Sequence, residues 1–244
     1  MSGGSSSTDR QPMWGRVDEI LAGAPVLAAA GCMITARAVG SRLDVNAADE
    51  STLSRLFRNA GVLPAQADSL AAAIADWKDP DDVPRPLGAE RGWYEALGQV
   101  PPANRPFTHA AELAMVRGVA ETLPFDDLLD VEEGSISINH ASAPVLTLLP
   151  GFTPEAAARV LSARAAGRPV GAFQELRQGL SALASETMAR AEPQLAARAS
   201  LVPTGWVLTV RATAGAPPVT AVLEARIERF ATSILIVRRR SWIL

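Results

Sequence analysis

The feature that most constrains this chain is its last forty residues. After Pro203-Thr204-Gly205 the apolar pattern takes a period of two. Trp206, Leu208, Val210 and Ala212 share one face, and Val219, Ala221, Leu223, Ala225 and Ile227 share another. Ile234 and Ile236 repeat the pattern before Arg238-Arg239-Arg240. Turn residues fill 214–218 and 230–233, so the spacing predicts a three-strand antiparallel meander. Three strands with one apolar face do not stand alone in water. The short, partly β-branched run CMITARAV at 32–39 is the natural partner. The prediction is one sheet built from both ends of the chain.

Between those ends the character changes. From Leu43 to about Ala199, Ala, Leu and charged residues recur at helical spacing between short Pro and Gly breaks. Asp49 or Ala48 caps a first helix whose stripe is Leu53, Leu56 and Phe57, and Gly61 ends it. Pro64 opens a second, with Ala67, Leu70, Ala71 and Ile74 on one face. Residues 78–107 read as a long structured loop, a length that is usually functional. Further helices are expected near 108–117, 121–130, 142–149, 154–166, 172–180 and 185–197. A weak helical pattern also covers 14–30, interrupted at Pro25.

The helical block repeats itself. Leu43-Asp44-Val45-Asn46-Ala47-Ala48 recurs as Ile136-Ser137-Ile138-Asn139-His140-Ala141, Leu53 and Leu56 match Leu146 and Leu149, and Gly61 and Pro64 match Gly151 and Pro154. Arg105-Pro106-Phe107 leading to Glu112-Leu113 is answered by Arg168-Pro169 leading through Phe173 to Glu175-Leu176. Asn46 and Asn139 are expected to cap the chain entering each helix. Leu149-Pro150-Gly151-Phe152-Thr153-Pro154 resembles a helix-hairpin-helix turn. Thr153 stands where a phosphate-binding turn carries its second glycine, and no lysine is near.

Charge and rare residues narrow the function. Lys and Arg number 23 against 26 Asp and Glu, for a net charge of −3; a dedicated nucleic-acid binder is normally strongly basic. A single cysteine, Cys32, excludes an intramolecular disulfide and a zinc site built on several thiolates. Ala29-Ala30-Gly31-Cys32 has some likeness to a lipoprotein cleavage box, against the simpler reading of a small buried cysteine. Ile20 to Ala36 is too rich in Ala and Gly to read as a membrane span.

The chemistry concentrates in DWKDPDDVPRPLGAE, which holds Asp76, Asp79, Asp81, Asp82 and Glu90. So many acids so close together need solvent or a shared cation. Hard oxygen ligands on a loop suit Ca²⁺, although the spacing is not that of an EF-hand. A solvated acidic loop and a metal-assisted hydrolytic centre are the competing readings. No nucleophile turn, P-loop or dinucleotide fingerprint accompanies the acids, so no catalytic residue is assigned.

Leu43-Asp44-Val45-Asn46, then Asp76-Trp77-Lys78-Asp79-Pro80-Asp81, Pro84-Arg85, Gly88-Ala89-Glu90 and Tyr94, resembles the minor pseudopilin K family of type II secretion systems. So do Asn104-Arg105-Pro106-Phe107 with Glu112-Leu113, and Ile138-Asn139 with Ala143-Pro144-Val145-Leu146. The resemblance implies an α+β fold: a pilin-like antiparallel sheet, from 1–42 plus 201–244, with a large all-α domain inserted at 43–200. That insert would comprise two helix-hairpin-helix-like (SAM-like) repeats, 43–133 and 134–200. It implies a non-enzymatic place at the pseudopilus tip beside the I- and J-type minor pseudopilins, on the periplasmic face of the inner membrane. It further implies Ca²⁺ on the acidic loop, with Asp79, Asp81 and Glu90 as ligands, Asp76 joining them and Asp82 the weakest candidate. The family pattern opens with a cleaved leader, a glutamate five residues on and a long apolar anchor helix. The start of this chain does not follow that pattern, and the expectation is a shortened or divergent, soluble relative. The competing function is a helix-hairpin-helix nucleic-acid-binding module.

Overall fold

The structure, a computed structural model, describes residues 26–29, 31–122, 124–230 and 233–243. The chain divides into two compact units, one from the two ends (Met1–Val39 and Pro203–Leu244) and one from Gly40–Val202.

The first unit is a five-stranded sheet in the order β1-β2-β3-β4-β5. Its strands are β1 (Val26–Ala29), β2 (Cys32–Ala38), β3 (Gly205–Ala214), β4 (Val219–Phe230) and β5 (Ser233–Ile243). Every neighbouring pair is antiparallel. β2 meets β3 in unbroken register from Cys32↔Ala212 to Ala38↔Trp206, joining the two chain ends as the period-two pattern requires. Cross-strand partners Leu208↔Ala225 and Val210↔Leu223 place like apolar side chains together, the unit of sheet stabilisation. A bulge between Arg226 and Ile227 leaves Val237 as the extra residue of β5. One expectation fails here. Val26–Ala29, read as part of a helical stretch, is a strand paired with β2. A proline directly before it disfavours continuing a helix, and the open edge of β2 offers backbone partners. Residues 14–25 of that stretch lie outside the described residues. Cys32 begins β2 and is half-buried.

The second unit is helical: α1 (Glu50–Asn59), α2 (Pro64–Lys78), α3 (Arg91–Ala96), α4 (Val119–Thr122), α5 (Ala143–Leu146), α6 (Pro154–Ala165), α7 (Ala182–Arg190) and α8 (Glu192–Arg198). Asp49 caps α1, its carboxylate accepting from the Thr52 N–H at 2.7 Å. α2 is buried on nearly every side from Leu70 to Trp77 and forms the spine of the core, which its small alanines permit. Leu53, Leu56 and Leu146 are wholly buried, and Leu149 nearly so.

Several predicted helices are shorter than their apolar spacing suggests. The stretches near 108–117 and 172–180 are short 3-10 helices, Ala110–Met115 and Phe173–Arg177. The expected helix at 121–130 gives way after Thr122 to a 3-10 turn and then an extended pair, Leu129–Asp130, parallel to Leu43–Asp44. Ile136–Ser137 pairs in the same parallel manner with Ala199–Ser200. Pro124 stops the helix, and Leu43 N–H and Val45 N–H find their acceptors at Leu128 and Asp130. The single expected helix at 185–197 is divided at Ala191 into α7 and α8, with Pro193 in the first turn of α8. Conversely, the long loop 78–107 contains α3, whose Tyr94 is buried edge-on against Trp77 at 5.4 Å.

The two asparagines do not cap their own helices. Asn46 clamps Phe107: its Oδ1 accepts the Phe107 N–H at 2.8 Å and its Nδ2 donates to the Phe107 carbonyl at 2.9 Å. Asn139 does the same to Val170, at 2.8 and 2.9 Å, and also donates to the Leu201 carbonyl. An amide offers donor and acceptor together, so it completes the pairing of a passing extended segment, which a cap serving one N–H does not. Cations complete the parallel. Lys78 Nζ donates to the carbonyls of Val45, Asn46 and Ala48, and Arg164 donates to that of Ala141.

Candidate metal centre

The last turn of α2 carries Asp76, and Asp79 is the extended residue that follows its last helical position, Lys78. The chain then loops back and delivers Glu90 at the N-terminus of α3. One carboxylate oxygen from each of the three lies within 4.8 Å of the others. Asp76 is wholly buried and Glu90 is 4% exposed. The Arg85 guanidinium is the counter-charge: it sits 2.6 Å from Asp76 Oδ1 and also bonds Asp79. Those two bonds hold its pKa above the ordinary arginine value. Gly88 closes the pocket, for a Cβ there would stand 1.9 Å from Asp76 Oδ2.

Three carboxylates against one guanidinium leave the group short of positive charge. Asp79 Oδ1 and both Glu90 oxygens are buried without a hydrogen-bond partner. Buried carboxylate oxygens normally have partners, and an exception asks for an ion or a proton. The proton answer is visible at Glu90. Burial, and then the nearby Asp76 and Asp79 charges, push its pKa up to about 7. The cation answer fits as well: clustered hard oxygens suit Ca²⁺ or Mg²⁺, and a loop-borne set suits the more adaptable Ca²⁺.

Asp81 and Asp82 stand apart from this group. The exposed Asp81 turns its Oδ1 to the Val83 N–H at 2.9 Å, closing a turn. Asp82 is exposed and accepts from Asn104 Nδ2. The expectation that Asp81 shares a point with Asp79 and Glu90 is therefore corrected: its local turn competes successfully for the carboxylate. Asn104, at φ 47°, ties the loop down by donating also to the Asp81 carbonyl. Arg85, Gly88 and Asn104 were not picked out as site residues. A lone arginine inside an acidic string was the available signal for the first; the others depend on the folded geometry.

Glu90 yields a pH prediction for metal-free protein. Its folded pKa lies above the unfolded value, so its stabilising contribution is complete below pH about 4.5 and lost as the pH rises through about 7. The full difference is at most about 3 kcal/mol. In chelator, wild type should lose more stability than Glu90→Gln between pH 5 and 8. Parallel melting curves across that window would show that Glu90 does not titrate in this way.

The helical turn that resembles helix-hairpin-helix elements is self-satisfied. Gly151 takes φ 71°, and Thr153 Oγ1 caps α6 by accepting from the Ala156 N–H at 3.2 Å. The segment 40–202 holds 14 basic residues against 21 acidic ones, a field that repels phosphate.

Comparison with known proteins bears on the segment that carries the acidic cluster. Residues 33–124 match the profile of type II secretion system (T2SS) protein K, first domain. The matched segment contains Asp76, Asp79, Arg85 and Glu90. The chain is 35% identical over 94 residues to a putative type II secretion system protein K of Escherichia coli (strain K12), covering 35% of this chain and 28% of that protein. It is 35% identical over 102 residues to type II secretion system protein K of Pectobacterium carotovorum subsp. carotovorum, covering 38% and 31%. The matched part thus spans about three tenths of the length of these relatives. A chain in the crystal structure of the GspK-GspI-GspJ complex of the enterotoxigenic Escherichia coli type 2 secretion system has the same fold. The TM-score is 0.62 at 16% identity, over 86% of this chain and 79% of that one. Among the described residues no helix is long and apolar enough to cross a membrane.

Proposed function

We propose that this protein is a non-enzymatic structural subunit, a minor pseudopilin of a type II secretion system on the periplasmic side of the inner membrane. Its work would be assembly, with the sheet packing on I- and J-type pseudopilins and the helical unit capping the tip by bulk. The observation that carries this reading is the match of residues 33–124 to the protein K profile, together with a fold shared with a chain of the GspK-GspI-GspJ complex. We read the helical unit as two helix-hairpin-helix-like repeats, supported by the matching clamps of Asn46 and Asn139. The test is co-purification with the soluble domains of I- and J-type pseudopilins from the same genome. A stoichiometric ternary complex in size-exclusion chromatography with light scattering is expected. Separate elution of all three at tens of micromolar would overturn the assignment.

Within that reading, Asp76, Asp79 and Glu90 hold Ca²⁺ and fix the 78–90 loop to the end of α2. The ion would supply charge neutralisation alone; Arg85 already holds Asp76 and Asp79 in place, and Gly88 leaves room for Asp76. Saturation at a hundredfold excess over Kd adds about 2.7 kcal/mol, or about 5–10 °C in Tm for a chain of this size. Chelation should remove that increment, Mg²⁺ should restore little of it, and Glu90→Gln should abolish the response. Wild-type melting curves that coincide with and without chelator would remove the calcium assignment and leave the pseudopilin assignment standing.

A further inference from the structure

We propose that Arg85 competes with the cation for Asp76 and Asp79, sets the affinity of the site, and passes to Glu50 when it yields those oxygens. This rests on the reading of Asp76, Asp79 and Glu90 as a Ca²⁺ site. One guanidinium nitrogen of Arg85, Nη1, bridges two of the three carboxylates: it donates to Asp76 Oδ1 at 2.6 Å and to Asp79 Oδ2. Asp76 has one oxygen to offer an incoming ion. Its Oδ2 lies against Gly88, where an added Cβ would stand 1.9 Å away, and accepts from the Arg85 backbone N–H at 3.3 Å. Its Oδ1 is the oxygen that the guanidinium holds. An ion that draws on all three carboxylates therefore takes Asp76 Oδ1 from Arg85.

Two cations sharing one pair of carboxylates repel each other, and more strongly in a partly buried site than in water. Arg85 has a second partner to receive it. Its Nε is 3.4 Å from Glu50 Oε2, at the first residue of α1. Its side chain is 34% exposed, so a shift toward Glu50 crosses no packed core. A guanidinium carries its N–H donors in a planar fork, which lets Arg85 span all three acids and change its share of each without leaving the group. The other cations of this segment are committed elsewhere. Lys78 donates to the carbonyls of Val45, Asn46 and Ala48, and Arg91 lies beside Asp82 and Glu95. Arg85 thereby couples the ion to the start of α1, outside the loop that carries Glu90.

The test is calorimetric titration of the whole chain with Ca²⁺, alongside melting curves in chelator. Arg85→Met should bind Ca²⁺ about tenfold tighter than wild type, because the repulsion is gone. In chelator the same variant should melt lower, because the acids have lost their counter-charge. Arg85→Lys keeps the charge and should stay close to wild type in affinity. Glu50→Gln, at an exposed position, should weaken wild-type binding by about threefold and change nothing when added to Arg85→Met. A merely structural arginine produces no such dependence between the two positions. Calcium affinity unchanged or weaker in Arg85→Met would overturn the competition and leave the calcium site standing, as would an equal effect of Glu50→Gln in both backgrounds. Should Arg85→Met fail to fold, Glu50→Gln alone decides, and binding as tight as wild type overturns the proposal. A wild-type chain that takes up no Ca²⁺ would overturn the calcium reading and this proposal together.

Discussion

Leu146→Ala should destabilise the helical unit by about 2–5 kcal/mol, and Leu53→Ala by a similar amount. Both side chains are wholly buried and lie in one continuous core with Phe57, Ile74, Trp77 and Val145. Removing one methine and two methyl carbons loses their transfer free energy and leaves a cavity that helices pinned at both ends do not collapse to fill. Leu183→Ala is the control. At 76% exposure on α7 it should change stability by no more than about 0.5 kcal/mol. Urea unfolding monitored by circular dichroism reads all three. Equal midpoints for Leu146→Ala and Leu183→Ala would contradict the packing described here.

Asn139→Ala should cost about 2–5 kcal/mol, the second large effect. The variant loses one accepted and two donated hydrogen bonds and strands backbone groups of Val170 and Leu201 in a partly buried site. Each stranded group costs roughly 1–3 kcal/mol. Asn46→Ala removes two bonds, both to Phe107, and should cost less. Asn139→Asp separates acceptor from donor, since a carboxylate keeps the bond from the Val170 N–H and loses those to the carbonyls. Hydrogen exchange gives the decisive readout. The Val170 amide should lose protection in Asn139→Ala and retain more of it in Asn139→Asp. Unchanged protection at Val170 in the alanine variant would show that the clamp is not what holds that segment.

These asparagines show where local reasoning stops. Their place at the end of a short extended segment was plain, and a cap is what that position commonly does. The partner lies 61 residues on for Asn46 and 31 for Asn139, and no local pattern reports which distant backbone will pass by. The helices behave similarly. α1, α2 and α6 follow their apolar stripes and prolines closely because caps and propensity agree there with packing. Residues 121–130 and 172–180 carry helical spacing but end in turns and bridges. There, satisfying the edge of a neighbouring segment outweighed a weak propensity.

The sheet was legible because a period of two is a strong signal and because three one-sided strands demand a partner. Its fifth strand, Val26–Ala29, was not, since four apolar residues in a row carry no alternation. At the candidate metal site, residue type and proximity in sequence were enough to nominate the acidic stretch. They did not separate Asp76, drawn inward on the buried face of α2, from Asp81, which satisfies itself within its own turn. What the amino-acid sequence determined by itself is therefore the alternation, the caps, the breaks and the concentration of carboxylates, all set by neighbours within a few residues. The tertiary structure alone decided which oxygens share a space, which are left without partners, and which distant segments pair. Those outcomes depend on burial and on contacts between distant segments, and the energy of a buried charge is set by its surroundings rather than by its place in the chain.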